Sequence, residues 1–178
     1  ALAVDGKVLV EHVAILAFNR AEWIEAMLAA FKLRAVPVNI NFRYVEDGLR
    51  YVFDNADVVA LVYERQFTPR LAAIRDSVPQ LRHYLALDDG HAADDAALDA
   101  QEYERALAAQ NDAPLGIERS GDDLYVLYTG GTTGMPKGTI WRHEDIFFGA
   151  LQGGAATGGP PIGTPGEIVE RVKTGFAL

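Results

Sequence analysis

One glycine- and threonine-rich segment has the composition of an anion-binding loop. It spans residues 128–138 and reads YTGGTTGMPKG. Its four glycines let the backbone approach a ligand closely, and its three threonine hydroxyls and its backbone N–H groups can bind the same oxygens. Lys137 adds a mobile positive charge. A polyphosphate is therefore the ligand that this composition predicts.

The spacing in this segment excludes two common phosphate motifs. A Walker loop requires Gly-Lys followed by Ser or Thr, whereas Pro136 precedes Lys137 and Gly138 follows it. The dinucleotide-binding fingerprint requires G-x-G-x-x-G, which the segment does not contain. A glycine-rich turn that binds nothing is the alternative, and the position of the segment directly after an apolar strand argues against it.

Short apolar runs alternate with amphipathic stretches along the chain that precedes and contains this loop. The predicted strands are 12–18, 36–40, 58–63, 84–87 and 124–128. After the first strand, one helical face carries Trp23, Ile24, Met27, Leu28 and Phe31. The alternation predicts an α/β fold with a mostly parallel sheet covered by helices. Pro37 favours an edge or an end position for the second strand.

Three local features carry further expectations. Asn19 is expected to cap the first helix, with Glu22 three residues later as in a capping box. Residues 88–104 are rich in Ala, Asp and Glu and are interpreted as a surface helix. Asp122 and Asp123 precede a strand and are interpreted as a solvated turn.

The chain is interpreted as an incomplete amino-terminal α/β domain spanning residues 1–178. Strand–helix repeats occupy 8–109, a linker 110–120, and a strand with the loop and a helix 121–152. Residues 153–178 contain a Gly/Pro-rich loop and a truncated end, since residues 176–178 resemble the middle of an element.

Composition and charge exclude several functional classes. With 49% hydrophobic and 23% charged residues, the chain can bury a core. Its net charge of −9 argues against binding of nucleic acid. The absence of cysteine excludes thiolate zinc sites and cysteine nucleophiles. No signal peptide and no transmembrane segment are evident, so a cytoplasmic location is expected.

The loop closely resembles the phosphate-binding signature of adenylate-forming enzymes, which include acyl-CoA synthetases, peptide-synthetase adenylation domains and luciferases. The common family form has Ser where Gly130 stands, and the Gly variant resembles bacterial fatty-acyl-CoA synthetases. Residues 12–44 are similar to the family's early strand–helix–strand region, although Arg34 replaces a frequent glycine. His143 also falls where the family often has a histidine. The resemblance covers most of residues 8–151.

This resemblance implies a Rossmann-like sheet within the large amino-terminal domain of such an enzyme. It implies an AMP-forming acid–thiol ligase that uses ATP to convert a carboxylic acid, a medium- or long-chain fatty acid, into an acyl adenylate and then a coenzyme A thioester. By position, the β- and γ-phosphates would be wrapped by Thr129, Gly130, Gly131, Thr132, Thr133, Gly134 and Lys137. Thr129 would also help to hold Mg²⁺, and Lys137 would support pyrophosphate departure.

The family's remaining functional segments are expected outside this chain. Its adenine-binding segment, ribose-binding aspartate, magnesium-binding glutamate and carboxyl-terminal lysine would follow Leu178, and its first segment would precede Ala1. The chain alone is therefore expected to be inactive and to need the remainder of the enzyme. Two alternatives stay open: an amino-acid-activating adenylation domain, and a non-catalytic phosphate-binding or interaction module.

Overall fold

The computed structural model describes residues 2–4, 7–9, 11–92, 94–130, 135–150 and 162–173. A separate antiparallel hairpin joins β1 (Leu2–Val4) to β2 (Lys7–Leu9). The other described strands form one sheet: β3 (His12–Leu16), β4 (Val36–Asn39), β5 (Val58–Glu64), β6 (His83–Leu87), β7 (Gln101–Glu102), β8 (Leu124–Thr129) and β9 (Lys137–Arg142).

The sheet has the order β7-β6-β5-β3-β4-β8-β9. Every neighbouring pair is parallel except β8 and β9, which form an antiparallel hairpin. The predicted α/β fold with a mostly parallel sheet is therefore confirmed. Its strands read as continuous apolar runs because both faces of a parallel sheet are covered.

Helices pack on both faces of the sheet. The described helices are α1 (Ala21–Lys32), α2 (Glu46–Asn55), α3 (Thr68–Ile74), α4 (Tyr103–Ala108), α5 (His143–Asp145) and α6 (Pro165–Lys173), of which α1 to α4 contribute to the core clusters. Short 3₁₀ turns occupy Arg65–Phe67, Arg75–Ser77 and Asp95–Leu98, and a π-helical turn, Ile146–Ala150, follows α5. The larger core cluster lies against α2 and α3, and the smaller one against α1 and α4. Among the described residues, no helix combines the length and apolarity needed to cross a bilayer.

The buried face of α1 differs from the predicted one. Ala26 and Ala30 are its buried residues, whereas Ile24 and Leu28 are each 48% exposed. The small alanines let the helix axis approach the sheet closely, so larger residues at the margin of the apolar stripe remain outside. Ile24 and Leu28 thus lie on the predicted apolar face but do not belong to the buried one.

The predicted start of α1 was also wrong. Arg20, with an extended backbone, is the N-cap residue, and no side chain caps the helix. Glu22 instead forms an ion pair with the Arg20 guanidinium at 2.6 Å. The Glu22 carboxylate therefore binds the Arg20 side chain instead of the backbone N–H group that it would bind in a capping box.

Residues 88–104 do not form the predicted surface helix. A 3₁₀ turn ends at Leu98, β7 follows, and α4 begins only at Tyr103. Leu98 and Tyr103 are buried, and Asp99 adopts a left-handed conformation with φ of 54°. A continuous helix is incompatible with this reversal and with the pairing of β7 to the edge of the sheet.

Pro37 lies in an interior strand, because β4 is flanked by β3 and β8. Val36 and Ile40 donate their backbone N–H groups to β3 and its flanking residues, so the nitrogen of Pro37 faces the β8 side. The first β4–β8 pair is Val38 with Val126, one residue further on. The edge alternative was therefore wrong, whereas the strand-end alternative describes this position.

Candidate functional site

The described residues of the glycine- and threonine-rich segment lie at the loop end of the β8–β9 hairpin. Thr129 is the last residue of β8, Lys137 is the first of β9, and the two are direct cross-strand partners. Their side chains therefore lie on the same face of the hairpin. The structure brings Thr129, Gly130 and Lys137 together, whereas Gly131, Thr132, Thr133 and Gly134 lie outside the described residues.

The described end of the hairpin is open to a ligand. Thr129, Gly130 and Lys137 are all exposed. Apart from the adjacent residues, no atom of the described part of the chain lies within 4 Å of the position that a Cβ atom would occupy at Gly130. Within the described part of the chain, no carboxylate forms an ion pair with Lys137. A hydroxyl and an ammonium group thus face solvent side by side, as an anion site requires.

The residues next to this end hold the hairpin in place. Tyr128 pairs with Gly138, and a Cβ atom at Gly138 would lie 3.1 Å from Cε2 and Cζ of the Tyr128 ring. The Tyr128 hydroxyl donates a hydrogen bond of 2.6 Å to Oδ1 of Asn55, the last residue of α2. Burial raises the pKa of Tyr128, with Tyr51 and Asp57 acting in the same direction, so the hydroxyl remains a donor.

The base of the hairpin is fixed by a buried carboxylate. Asp123 is 9% exposed, so the prediction of a solvated turn was wrong for this residue. Its Oδ1 binds the guanidinium of Arg34, and its Oδ2 accepts a hydrogen bond from the backbone N–H of Ser120. The carbonyl oxygen of Asp123 accepts from the N–H of His143, where α5 begins. These contacts connect the start of β8 to the turn after α1.

His143 packs as a structural residue. Its ring centroid lies 4.2 Å from that of Phe31 on α1. Burial lowers the pKa of His143, which favours the neutral imidazole. The residue therefore begins a helix and contacts an aromatic ring rather than lying at the loop end of the hairpin.

A cavity of about 630 Å³ opens beside the hairpin, where β3 and β4 end. In parallel α/β sheets, ligands bind at the carboxyl ends of strands. Its polar lining comes from Asn19, Asn39, Asn41 and Arg43, and its other lining residues are Ala17, Trp23, Ile24, Ile40, Phe42 and Tyr128. Our sequence analysis named Asn19 only as a helix cap and did not identify Asn39 or Asn41, although the position of all three at the ends of two predicted strands is a signal that could have done so.

A second buried carboxylate stabilises the same edge of the sheet. Glu64, at the end of β5, is 4% exposed. It accepts hydrogen bonds from the backbone N–H of Phe18 at 3.3 Å and from Nε2 of Gln66 at 2.8 Å, and it lies 3.5 Å from the Arg20 guanidinium. The segments after β3 and β5 are thereby joined to each other, which gives the cavity a supported wall.

Comparison with known proteins agrees with this arrangement. The family model described as "AMP-binding enzyme" matches residues 8–168. The 3-oxocholest-4-en-26-oate–CoA ligase of Rhodococcus rhodochrous is 46% identical over 137 residues, which cover 77% of this chain and 25% of that protein. The medium-chain acyl-CoA ligase Mig of Mycobacterium avium is 44% identical over 161 residues, which cover 89% of this chain and 29% of that protein.

Solved structures show the same fold. The anthranilate CoA ligase AuaEII in complex with anthranoyl-AMP matches with a TM-score of 0.74 and 24% identity, over 85% of this chain and 28% of that one. The N-terminal domain of FACL13 from Mycobacterium tuberculosis matches with a TM-score of 0.64 and 26% identity, over 77% and 32% of the two chains. This chain thus spans roughly a quarter to a third of the proteins that it matches. With nearly its whole length matched, it belongs to the family of AMP-binding enzymes.

Proposed function

We propose that this chain is the phosphate-binding part of an ATP-dependent acyl-CoA ligase. The observation that carries the proposal is the pairing of Thr129 with Lys137 at the loop end of the β8–β9 hairpin. Relatives at 44–49% identity are named acyl-CoA ligases, several of them for medium- and long-chain fatty acids. The proposed substrates are therefore ATP, coenzyme A and a fatty acid of this size.

The proposed role of the hairpin follows from charge. In such a reaction the fatty-acid carboxylate attacks the α-phosphorus of ATP, the bond to the bridging oxygen breaks, and pyrophosphate leaves. Negative charge then grows on the leaving group, and fixed donors near it lower the barrier. The Lys137 ammonium would supply charge, and the remaining proposed contacts to the β- and γ-phosphates are Thr129, Gly130, Gly131, Thr132, Thr133 and Gly134.

A magnesium ion would neutralise part of the same phosphate charge when it is bound. Among the described residues, no group of three or more His, Asp or Glu side chains could hold a metal ion. The exposed hydroxyl of Thr129 is a hard oxygen that fits Mg²⁺ as one ligand. We therefore propose Thr129 as one protein ligand, with phosphate oxygens and residues beyond the described part of the chain supplying the others.

The proposal includes the organisation of the chain. Residues 8–109 and 121–152 contribute strands to one sheet, which supports their assignment to a single amino-terminal α/β domain spanning 1–178. Residues 110–120 contain no helix or strand, as a linker would, and 153–178 are assigned as the loop and end segment. We propose that activity requires the remainder of the ligase. We also propose a cytoplasmic location for the protein.

Titration of inorganic pyrophosphate into the 178-residue chain tests the phosphate site. Lys137→Ala should weaken binding by about tenfold or more, because it removes a charge-assisted contact. Lys32→Ala is the matched control, since Lys32 is an exposed lysine at the last turn of α1. Equal affinities in the two variants would contradict the proposed site.

A hybrid enzyme tests the activity. This chain would replace the segment that it matches in the Mycobacterium tuberculosis relative, which is 49% identical over 129 residues. Thioester formation from a medium- or long-chain fatty acid is the expected result. A folded hybrid that releases pyrophosphate only with amino acids, or that binds phosphate and releases none with any carboxylate, would contradict the ligase assignment.

A further inference from the structure

We propose that Tyr128 and Asn55 are positioning residues, which hold Thr129 opposite Lys137 in the geometry that phosphate binding requires. The inference rests on the proposed function of the hairpin and adds residues that do not themselves contact the ligand. Asn55, Tyr128 and Gly138 together are called the clamp below.

The clamp lies directly beside the two ligand-binding ends. Tyr128 immediately precedes Thr129, and its cross-strand partner Gly138 immediately follows Lys137. Any displacement of the Tyr128–Gly138 pair is therefore transmitted to Thr129 and Lys137 through a single peptide unit on each strand.

The clamp lies where the pairing of β8 with β4 ends. Pairing between β4 and β8 consists of Val38 with Val126 and Asn39 with Leu127. Among the described residues, no β4–β8 pair lies beyond Leu127. Tyr128 is thus the first residue after the segment of β8 that pairs with β4, and its hydroxyl supplies a contact to a different element, α2.

Asn55 is a firm attachment point because α2 is anchored in the core. Leu49, Val52 and Phe53 of this helix are 0% exposed. The hydrogen bond from the Tyr128 hydroxyl to Asn55 is short, at 2.6 Å, and joins residues that are 73 positions apart in the chain. Asn55 itself is exposed at the end of α2, so the bond connects the end of the hairpin to a helix that is anchored in the core rather than to another loop.

Gly138 sets the position of the Tyr128 ring from the other side. A Cβ atom there would lie 3.1 Å from Cε2 and Cζ of Tyr128 and 3.1 Å from Cγ1 of Val126. These distances are shorter than ordinary van der Waals contact, so the ring would have to shift. Since the hydroxyl of this ring donates to Asn55, we expect such a shift to lengthen that hydrogen bond. The glycine and the hydrogen bond are therefore coupled.

The first test measures pyrophosphate affinity of the 178-residue chain by titration calorimetry. Tyr128→Phe and Asn55→Ala should each weaken binding by about two- to tenfold, the equivalent of one neutral hydrogen bond. The double variant should lose no more than either single variant, because both remove the same bond. Tyr125→Phe removes a hydroxyl from the same strand and should leave the affinity unchanged.

The second test uses the coupling between Gly138 and Asn55. Gly138→Ala should weaken pyrophosphate binding in the wild-type background, and should weaken it less in the Asn55→Ala background, where the ring is free to move. Amide chemical shifts of Thr129 and Lys137 should change in each clamp variant without ligand. Additive effects, or unchanged shifts at both amides, would overturn the proposal.

The outcomes separate this inference from the proposed function. If Lys137→Ala binds pyrophosphate as tightly as the wild type, the phosphate site itself is wrong. If Lys137→Ala loses affinity while Tyr128→Phe and Asn55→Ala retain it, only the clamp is wrong. A loss of unfolding free energy in the clamp variants with unchanged affinity would identify a purely structural role and would also overturn the proposal.

Discussion

The guanidinium of Arg34 binds the carboxylate of Asp123, with both Nε and Nη2 at 2.8 Å from Oδ1. Arg34 follows the end of α1 and has a φ of 57°, in the left-handed region that favours glycine. A glycine, which the family resemblance led us to expect at this position, would adopt this conformation without strain. Arg34 adopts the less favourable left-handed backbone and forms an ion pair with Asp123 at the base of the β8–β9 hairpin.

Substitutions at position 34 should separate these two effects. Arg34→Gly and Arg34→Ala both lose the ion pair, but only glycine relieves the left-handed backbone. We expect Arg34→Gly to be more stable than Arg34→Ala by about 1 kcal/mol. Urea unfolding of both variants measures the difference, and equal midpoints would contradict a backbone cost at this position.

Asp123 should matter more than its neighbour Asp122. Asp123→Ala leaves the N–H of Ser120 and the Arg34 guanidinium without their partner, so we expect a loss of about 1–3 kcal/mol of unfolding free energy. Asp122 is exposed and pairs only with Arg142 among the described side chains, so Asp122→Ala serves as the control. Equal losses of unfolding free energy in the two variants would contradict the assigned role of Asp123.

The two half-reactions of the ligase should respond differently to Lys137→Ala. Adenylation should slow by about ten- to a hundredfold, because charge on the departing pyrophosphate loses a contact. Thioester formation from a preformed acyl adenylate should be nearly unchanged, since pyrophosphate has already left. Both rates can be measured separately in the hybrid enzyme. Equal losses in the two steps would mean that Lys137 does not act on pyrophosphate.

Thr129 should show a metal-dependent phenotype. Thr129→Ala should reduce adenylation less than Lys137→Ala does, and excess Mg²⁺ should restore part of the lost rate, because the metal ion loses one oxygen ligand. Thr129→Ser retains that oxygen and should behave like the wild type. The measurement is adenylation rate against Mg²⁺ concentration, and a Thr129→Ala defect that is independent of metal would contradict the assignment.

The ion pair between Arg20 and Glu22 should make the free energy of unfolding vary with pH in the acid range. Hydrogen bonding to Arg20 lowers the pKa of Glu22 from 4.5 to about 2. Because this pKa is lower in the folded state than in the unfolded state, the ionised Glu22 stabilises the folded protein at pH values above about 4.5. This contribution is lost as the pH falls from about 4.5 towards 2. The stability difference between wild type and Glu22→Gln should therefore shrink over that range.

Urea midpoints at pH 6, 4 and 3 measure this difference. The control is Glu46→Gln, an exposed carboxylate in the first turn of α2 that has no guanidinium partner among the described residues. A difference between wild type and Glu22→Gln that stays constant with pH would contradict the role of the ion pair.

Features that depend on nearby residues could be predicted from the sequence. Buried parallel strands such as β5 read as apolar runs, and the buried face of α2 carries Leu49, Val52 and Phe53 at helical spacing. The composition of 128–138 likewise identified the hairpin end that carries Thr129 and Lys137, although its ligand remains a prediction. Each of these signals lies within one element or one loop.

Features that depend on distant partners were missed. β9 contains exposed residues throughout, and its extended state comes from pairing with β8 rather than from an apolar pattern. Asp123 is buried because Arg34, 89 positions away, provides its partner. The contact of Gly138 with the Tyr128 ring depends on the register of the hairpin, which the loop composition alone does not determine.

The insertion of β8 beside β4 has a consequence for the growing chain. Val38 is synthesised long before its partner Val126, so the edge of β4 that later binds β8 is unpaired in the growing chain. An exposed strand edge is a template for incorrect pairing. Pro37 presents no N–H group on this same edge, so it shortens the row of donors that a wrong strand could use. The proline that is unusual in an interior strand thus protects β4 until the correct partner arrives.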